Sequence, residues 1–290
     1  MTIVPLITYR YYQYEQYRRM IQRWCGLKNL NEYKVGLIVM QCIQLTSSHL
    51  KDEHICCALG AKQYAEAVME KKKWLSDRME EGLVFYRLDE RAKVFIEYLP
   101  ADQAWAPIAA PNYMYINCLW VSGKYKDQGY ARRLLDKCKE DATALGMDGI
   151  VHIVGRKKLP YLSDKRFFEH MGFKVVDQAD PYFELVALQL NDSAALPAFK
   201  KWDENGSVNE KGIVIFYSAQ CPFAVGIVEE LRAVAVNKGV PFTAHRLLTK
   251  EDSHQAPIIW STFALFYDGQ FITHEIMSPN KFEKLLTARI

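Results

Sequence analysis

No apolar run in this chain of 290 residues is long enough to cross a bilayer. The longest, Val35 to Leu45, is broken by Gln41 and Gln44 and falls short of the roughly 20 residues a span needs. The first residues also lack the basic stretch, apolar stretch and small-residue cleavage site of a secretory signal, so no membrane span and a cytoplasmic setting are expected. Cysteine occurs seven times, an odd number, with no C-x-x-C and with Cys56 and Cys57 adjacent, which is neither a zinc ribbon nor a disulfide framework. No metal is expected. An excess of one charge is missing as well. The net charge is +3, residues 1–39 hold +4 of it through six basic and two acidic side chains, and the remainder is −1. Phosphate-backbone binding needs a concentrated basic face, so no nucleic acid is expected as the main partner and small molecules are favoured.

What is present is a globular composition: 50% hydrophobic, 24% charged and 13% aromatic, enough apolar material for real cores. Residues 1–39, with six tyrosines interleaved with arginines, follow no clean period and read as an extension outside the core. From Met40 the pattern becomes regular. A strand at Gln41–Leu45 leads to helices at Ser47–Cys57 and Ala61–Glu80, the second with Tyr64, Val68, Leu75 and Met79 at helical spacing. Strands follow at 83–88, 93–99 and 113–121. The helix after them carries Ala131, Leu134, Leu135, Cys138, Ala142 and Leu145 on one stripe. A buried strand at 149–154, a short helix at 164–171 and strands at 173–176 and 183–190 complete a first domain, residues 40–192. Residues 193–211 gather turn formers and read as a linker. A second domain, 212–290, alternates strand, helix, strand, a hairpin turned by Asp268-Gly269 and a closing helix.

The chemistry concentrates where Tyr115-Ile116-Asn117-Cys118-Leu119-Trp120-Val121 runs through a polar loop into the helix that begins near Gly129. A helix start presents unpaired N–H groups and a positive dipole end, an anion site, and small residues there let backbone approach a phosphate.

This order of elements resembles the GNAT N-acetyltransferase superfamily, whose Gln/Arg-x-x-Gly-x-Gly/Ala loop wraps the pyrophosphate of acetyl-CoA. Here the loop reads Lys126-Asp127-Gln128-Gly129-Tyr130-Ala131, followed by Arg132, with Lys126 departing from the usual first residue. The resemblance implies an α/β (α+β) GNAT fold with a mixed central sheet and acetyl-CoA as co-substrate. It also implies that Leu119, Trp120 and Val121 pair with the pantetheine arm. The family places a tyrosine acid in a helix closing on Gly-Phe; this chain has Phe168-Glu169-His170-Met171-Gly172-Phe173, so Phe168 has no proton to give. Further blocks, Glu53 to Ala58, Val94 to Tyr98, Trp120 to Gly123 and Pro181 to Leu185, are similar to YoaP-like acetyltransferases, which join a GNAT domain to a small C-terminal domain.

Direct acyl transfer needs a base for the amine and a proton for the departing thiolate. Glu97 is the candidate base, with an ordinary strand glutamate facing solvent or an arginine an equal reading. Tyr161 or Ser163 are candidate acids, and Cys118 is both a further donor candidate and a possible covalent acyl carrier, although a structural thiol is the commoner role. The C-terminal domain resembles a short thioredoxin fold, with Cys221-Pro222 at a helix start, but Ala224 replaces the second cysteine and Ser261 the cis-proline. Dithiol exchange is absent, and Cys221 remains a redox candidate whose thiolate the helix dipole would favour. The expected function is N-acetyl transfer to a small-molecule or peptide amine in a ternary complex. The alternatives are an acyl-CoA-binding or monothiol redox adaptor without turnover, and a membrane or nucleic-acid interaction protein acting through residues 1–39.

Overall fold

A computed structural model describes residues 41–200 and 208–289; the expected extension at 1–39 and part of the expected linker lie outside the described residues. The first eight strands are β1 (Cys42–Leu45), β2 (Val84–Leu88), β3 (Val94–Pro100), β4 (Ile108–Ala109), β5 (Tyr113–Val121), β6 (Gly149–Gly155), β7 (Lys174–Ala179) and β8 (Phe183–Gln189). All but β4 form a seven-stranded sheet in the order β1-β2-β3-β5-β6-β8-β7. Every pairing is antiparallel except β5 with β6. Val94 to Leu99 of β3 are all buried, as befits a strand covered on both faces.

Helix α1 (Ala65–Met79) buries Ala67, Lys71, Trp74 and Leu75, while α2 (Tyr130–Ala144) buries Tyr130, Leu134, Leu135, Cys138 and Ala142. The stripe expected for α2 is therefore present, with one correction: Leu145 lies past the last turn and is 64% exposed. Helix α3 (Lys165–His170) is capped by Asp164. The helix expected at Ser47–Cys57 is instead one 3-10 turn at His49–Lys51 and a loop in which Cys56 and Ala58 adopt positive φ. A side chain takes one backbone donor the helix would use, Cys56 N–H donating to His54 Nδ1, while Thr46 N–H, ahead of the expected helix, donates to His49 Nδ1.

A short strand β9 (Ala198–Phe199) pairs with β4 inside the stretch expected to be an unstructured linker. The second sheet, order β11-β10-β12-β13, is built from β10 (Ile213–Ser218), β11 (Phe242–Leu247), β12 (Phe263–Tyr267) and β13 (Gln270–Thr273). Strand β10 is parallel to β11 and antiparallel to β12. Helix α4 (Pro222–Asn237) follows β10, α5 (Lys250–Gln255) follows β11 with a Thr249/Asp252 capping box, and α6 (Pro279–Thr287) closes the chain. One face of this sheet packs on α4 and α6; the other, through Val214, Phe216, Trp260 and Phe266, joins the core of the first sheet.

The two sheets are closely joined. At Gly226 of α4 an added Cβ would meet the Tyr64 ring at 2.1 Å, so only glycine permits that approach, and Phe223 meets the same ring edge-on at 5.4 Å. Ser253 Oγ donates to the Trp105 carbonyl at 2.7 Å, Lys250 Nζ to that of Asp102 at 3.0 Å, and His274 Nε2 to that of Pro160 at 2.8 Å. No described helix is long and apolar enough to cross a membrane.

Candidate active site

The site begins where the large sheet opens. Strands β5 and β6 pair only from Tyr113–Tyr115 to Gly149–Val151. Beyond that, β5 continues to Val121 on β3 while β6 continues to Gly155 on β8. Among the described residues, the β5 edge from Asn117 to Val121 thus has no strand beside it. A bulge marks the opening: Glu97 opposes Cys118 and Tyr98 opposes Ile116, leaving Asn117 as the extra residue. A bulge re-aims side chains. Asn117 Nδ2 here donates to Glu97 Oε2 at 3.0 Å.

At its far end β5 passes Ser122 and a 3-10 turn at Gly123–Tyr125 to reach Gly129, the N-cap of α2, at φ 79°. Among the described residues, no side chain caps this helix and nothing lies within 4 Å of where a Cβ on Gly129 would sit. Lys126, Asp127, Gln128 and Arg132 are exposed or partly exposed around it. Gln128 Nε2 donates back to the Lys124 carbonyl, bracing the loop. Tyr130 is buried and packs edge-on against Tyr125 of the loop, ring centres 5.4 Å apart. Leu119, Trp120 and Val121 are half-buried along the open edge, with Lys93 Nζ 5.3 Å from the Trp120 ring.

Beside the open edge lies a chamber of about 460 Å³, in the usual range for a small-molecule site. The first sheet and its loops contribute Glu97, Asn117, Cys118, Trp120, His152 and Ser163; the second contributes Gln220, Cys221, Phe223, Trp260 and Thr262. Glu97, Cys118, Tyr161 and Cys221, separate in sequence, therefore meet at one cavity. Glu97 is 1% exposed and its Oε2 lies 2.7 Å from Lys71 Nζ, which is wholly buried and sits 4.4 Å from the Trp74 ring. Desolvating both charges is costly unless they pair, and they do.

The thiols are held neutral. Burial raises the Cys57 and Cys118 thiols well above the usual range. The expectation that Cys221 would favour thiolate is corrected: desolvation outweighs the lowering effect of the Ala224 and Phe223 N–H groups at the helix start, and its pKa rises. Tyr161 sits at φ 61° with its phenol pushed up to about 12 by burial, then by nearby acidic groups. Phe168 is fully buried, packs on Phe167, Phe173 and His152, and is not in the chamber wall.

His152 is the functional candidate that the sequence reading passes over. Its Nδ1 lies 2.8 Å from the Ile116 carbonyl and its Nε2 2.9 Å from Ser163 Oγ. A carbonyl only accepts, so Nδ1 carries the proton and Ser163 donates to Nε2. Burial lowers the histidine pKa to about 4, keeping the ring neutral. The available signal is one imidazole inside the apolar strand Gly149-Ile150-Val151-His152-Ile153-Val154.

Residues 48–173 match the acetyltransferase (GNAT) family and residues 241–284 the YoaP-like family. The protein of Bacillus subtilis (strain 168) described as the uncharacterized N-acetyltransferase YoaP is 64% identical over 244 residues, covering 84% of this chain and 97% of that protein. The chain belongs to the YoaP-like GNAT acetyltransferases. It is an acyltransferase by that membership. Among solved structures, an acetyltransferase from Thermus thermophilus matches with TM-score 0.39 and 13% identity over 52% of this chain and 97% of that one. The PaiA N-acetyltransferase from Thermoplasma acidophilum, in complex with coenzyme A, matches with TM-score 0.36 and 18% identity over 51% and 98%. In this YoaP-like chain the family match to the C-terminal segment falls on β11, α5, β12, β13 and most of α6.

Proposed function

We propose that the chain transfers the acetyl group of acetyl-CoA to an amine by direct attack in a ternary complex. The observation that carries this reading is the continuity of three features: an unpaired β5 edge, an uncapped helix start at its far end, and a chamber beside it. Leu119, Trp120 and Val121 would pair with the pantetheine amides as a strand does. The loop Lys126, Asp127, Gln128, Gly129, Tyr130 and Ala131, with Arg132, would hold the pyrophosphate through backbone N–H groups and nearby positive charge. Acetyl-CoA supplies an activated thioester. Glu97, oriented by Lys71 and Asn117, takes the proton the amine loses. The second proton, which the nitrogen sheds once the C–N bond has formed, can pass through the Ser163 hydroxyl to the neutral His152 Nε2 and return by the same route to the thiolate, a task Phe168 cannot perform. Tyr161 is a second donor at the same wall.

The division into an acetyltransferase domain at 40–192, a linker at 193–211 and a thioredoxin-like domain at 212–290 belongs to the same reading, with the second sheet supplying one wall of the acceptor site. The parallel β10-α4-β11 unit followed by the β12-β13 hairpin supports the thioredoxin-like comparison. A cytoplasmic setting belongs to the same reading, from a sequence with no C-x-x-C and no disulfide framework. The monothiol form of the adaptor alternative loses support because burial raises the Cys221 thiol; an acyl-CoA-binding protein without turnover differs from this reading in releasing no CoA.

The test is calorimetric titration with acetyl-CoA together with CoA release on adding amines. Gly129→Glu brings bulk and negative charge to the helix start and should abolish binding; unchanged binding would refute the placement. Acetyl-CoA at a hundredfold excess over its Kd should also stabilise the native chain by about 2.7 kcal/mol.

A further inference from the structure

The charge balance of the chamber narrows its occupant. Among the described residues, its wall contains no lysine or arginine. Its one carboxylate, Glu97, is already paired from behind with Lys71 and bonded by Asn117. His152 has both ring nitrogens engaged, one on the Ile116 carbonyl and one on Ser163. The three cysteines and Tyr161 are held in their neutral forms by burial. Much of the rest is apolar: Leu119, Trp120, Pro160, Leu162, Phe223 and Trp260. A carboxylate entering this space would find no cation, and a second ammonium would find no free anion. Burying such a charge without a partner is expensive.

Resting on the acetyl-transfer reading above, we propose that the acceptor is a compact, lipophilic or aromatic monoamine with no carboxylate and no second ammonium. The two tryptophans and Phe223 offer ring faces and edges to an aromatic body. Glu97, at the junction of β3 with the β5 bulge, offers the one polar end at which the amino group can sit. Size supports the choice, since about 460 Å³ must hold the acceptor and the acetyl end of the pantetheine arm together. Large polycationic acceptors and free amino acids fail on charge, volume or both.

Two matched pairs test this on the full chain: 2-phenylethylamine against phenylalanine, which adds a carboxylate, and hexylamine against 1,6-diaminohexane, which adds an ammonium. The uncharged-tail member of each pair should have kcat/KM about 100-fold higher, read by CoA release. Binding of the four amines to CoA-saturated protein, measured by calorimetry, should follow the same order. Thr262→Arg, which places a cation in the wall, should narrow the first pair's gap by about tenfold. A charged member that equals or exceeds its partner, or failure of both lipophilic amines to react and to bind, overturns the proposal while acetyl-CoA binding leaves the transfer reading standing. Loss of acetyl-CoA binding itself would overturn the transfer reading, and this proposal with it.

Discussion

Ser163 donates its hydroxyl hydrogen to Nε2 of His152 across 2.9 Å. The pair has the form of a proton relay, because the imidazole is fixed by a carbonyl on its other side and cannot turn. Ser163→Ala should lower kcat by about 100-fold, the low end of general acid–base contributions, with the acetyl-CoA KM unchanged. Ser163→Thr keeps the hydroxyl and should retain most of the rate. Steady-state kinetics of the three proteins checks this, and equal rates in all would remove Ser163 from the mechanism.

Stability should fall on acidification. His152 is neutral in the folded protein, with a pKa of about 4, against about 6.5 when unfolded. Between those values the unfolded chain binds more protons, so stability rises with pH through that window. The His152 contribution is intact above about pH 6.5 and lost by about pH 4, a loss on the order of 3 kcal/mol. His54, His254 and His274, also lowered mainly by burial, act in the same direction. Denaturant melts of wild type and His152→Gln across this range should show a shallower slope in the variant.

Lys71→Met leaves the Glu97 carboxylate buried without its cation and should cost about 3–5 kcal/mol. Adding Glu97→Gln should recover much of that loss while leaving acetyl transfer impaired. Urea unfolding of the single and double variants measures the first effect, and CoA release the second.

Gly226→Ala should destabilise by about 1–3 kcal/mol, because the new methyl group meets the Tyr64 ring at 2.1 Å. Combining it with Tyr64→Ala removes the clash, so the two losses should be less than additive in a double-mutant cycle.

Phe168→Tyr should not raise activity. The ring is fully buried outside the chamber, and an added hydroxyl without a partner there costs about 1–3 kcal/mol. A melting curve and a kcat measurement together decide the point; a rate gain would return the family's acid position to use.

Strands and long helices are legible because their apolar spacing is strong: α2 carries the stripe at 134, 135, 138 and 142, and β5 runs from Tyr113 to Val121 as expected. Short-range hydrogen bonding is harder to weigh, which is why 47–57 reads as helix while His54 diverts the Cys56 N–H such a helix would use. Helix α5 escapes the apolar pattern although Thr249 and Asp252 spell its capping box. At the site, residue types identify Glu97 and Cys221 as candidates, but no period in the sequence reports that β5 and β6 diverge after Tyr115 and Val151. Nor does it report that Lys71, on an amphipathic helix, turns inward to Glu97. The Cys221 thiol is misread from sequence because the helix start is visible there and desolvation is not.

Five of the bonds that seat the second sheet run from side chains of Lys250, Ser253, His254 and His274 to main-chain carbonyls of Asp102, Trp105, Ala104, Ala106 and Pro160. A carbonyl is supplied by every residue type. At these five bonds the receiving residues can change their side chains over evolutionary time without unseating the donor module, whereas Glu70, Gln103, Tyr182 and the Gly226–Tyr64 contact meet it through side chains and are constrained in identity. Pro160 lies three residues before Ser163, so His274 also steadies the loop that carries the proton relay. The module's attachment and the chemistry beside it are thus separable in inheritance, and acceptor preference can diverge between relatives by changes at Phe223, Trp260 and Thr262 while the joint is kept.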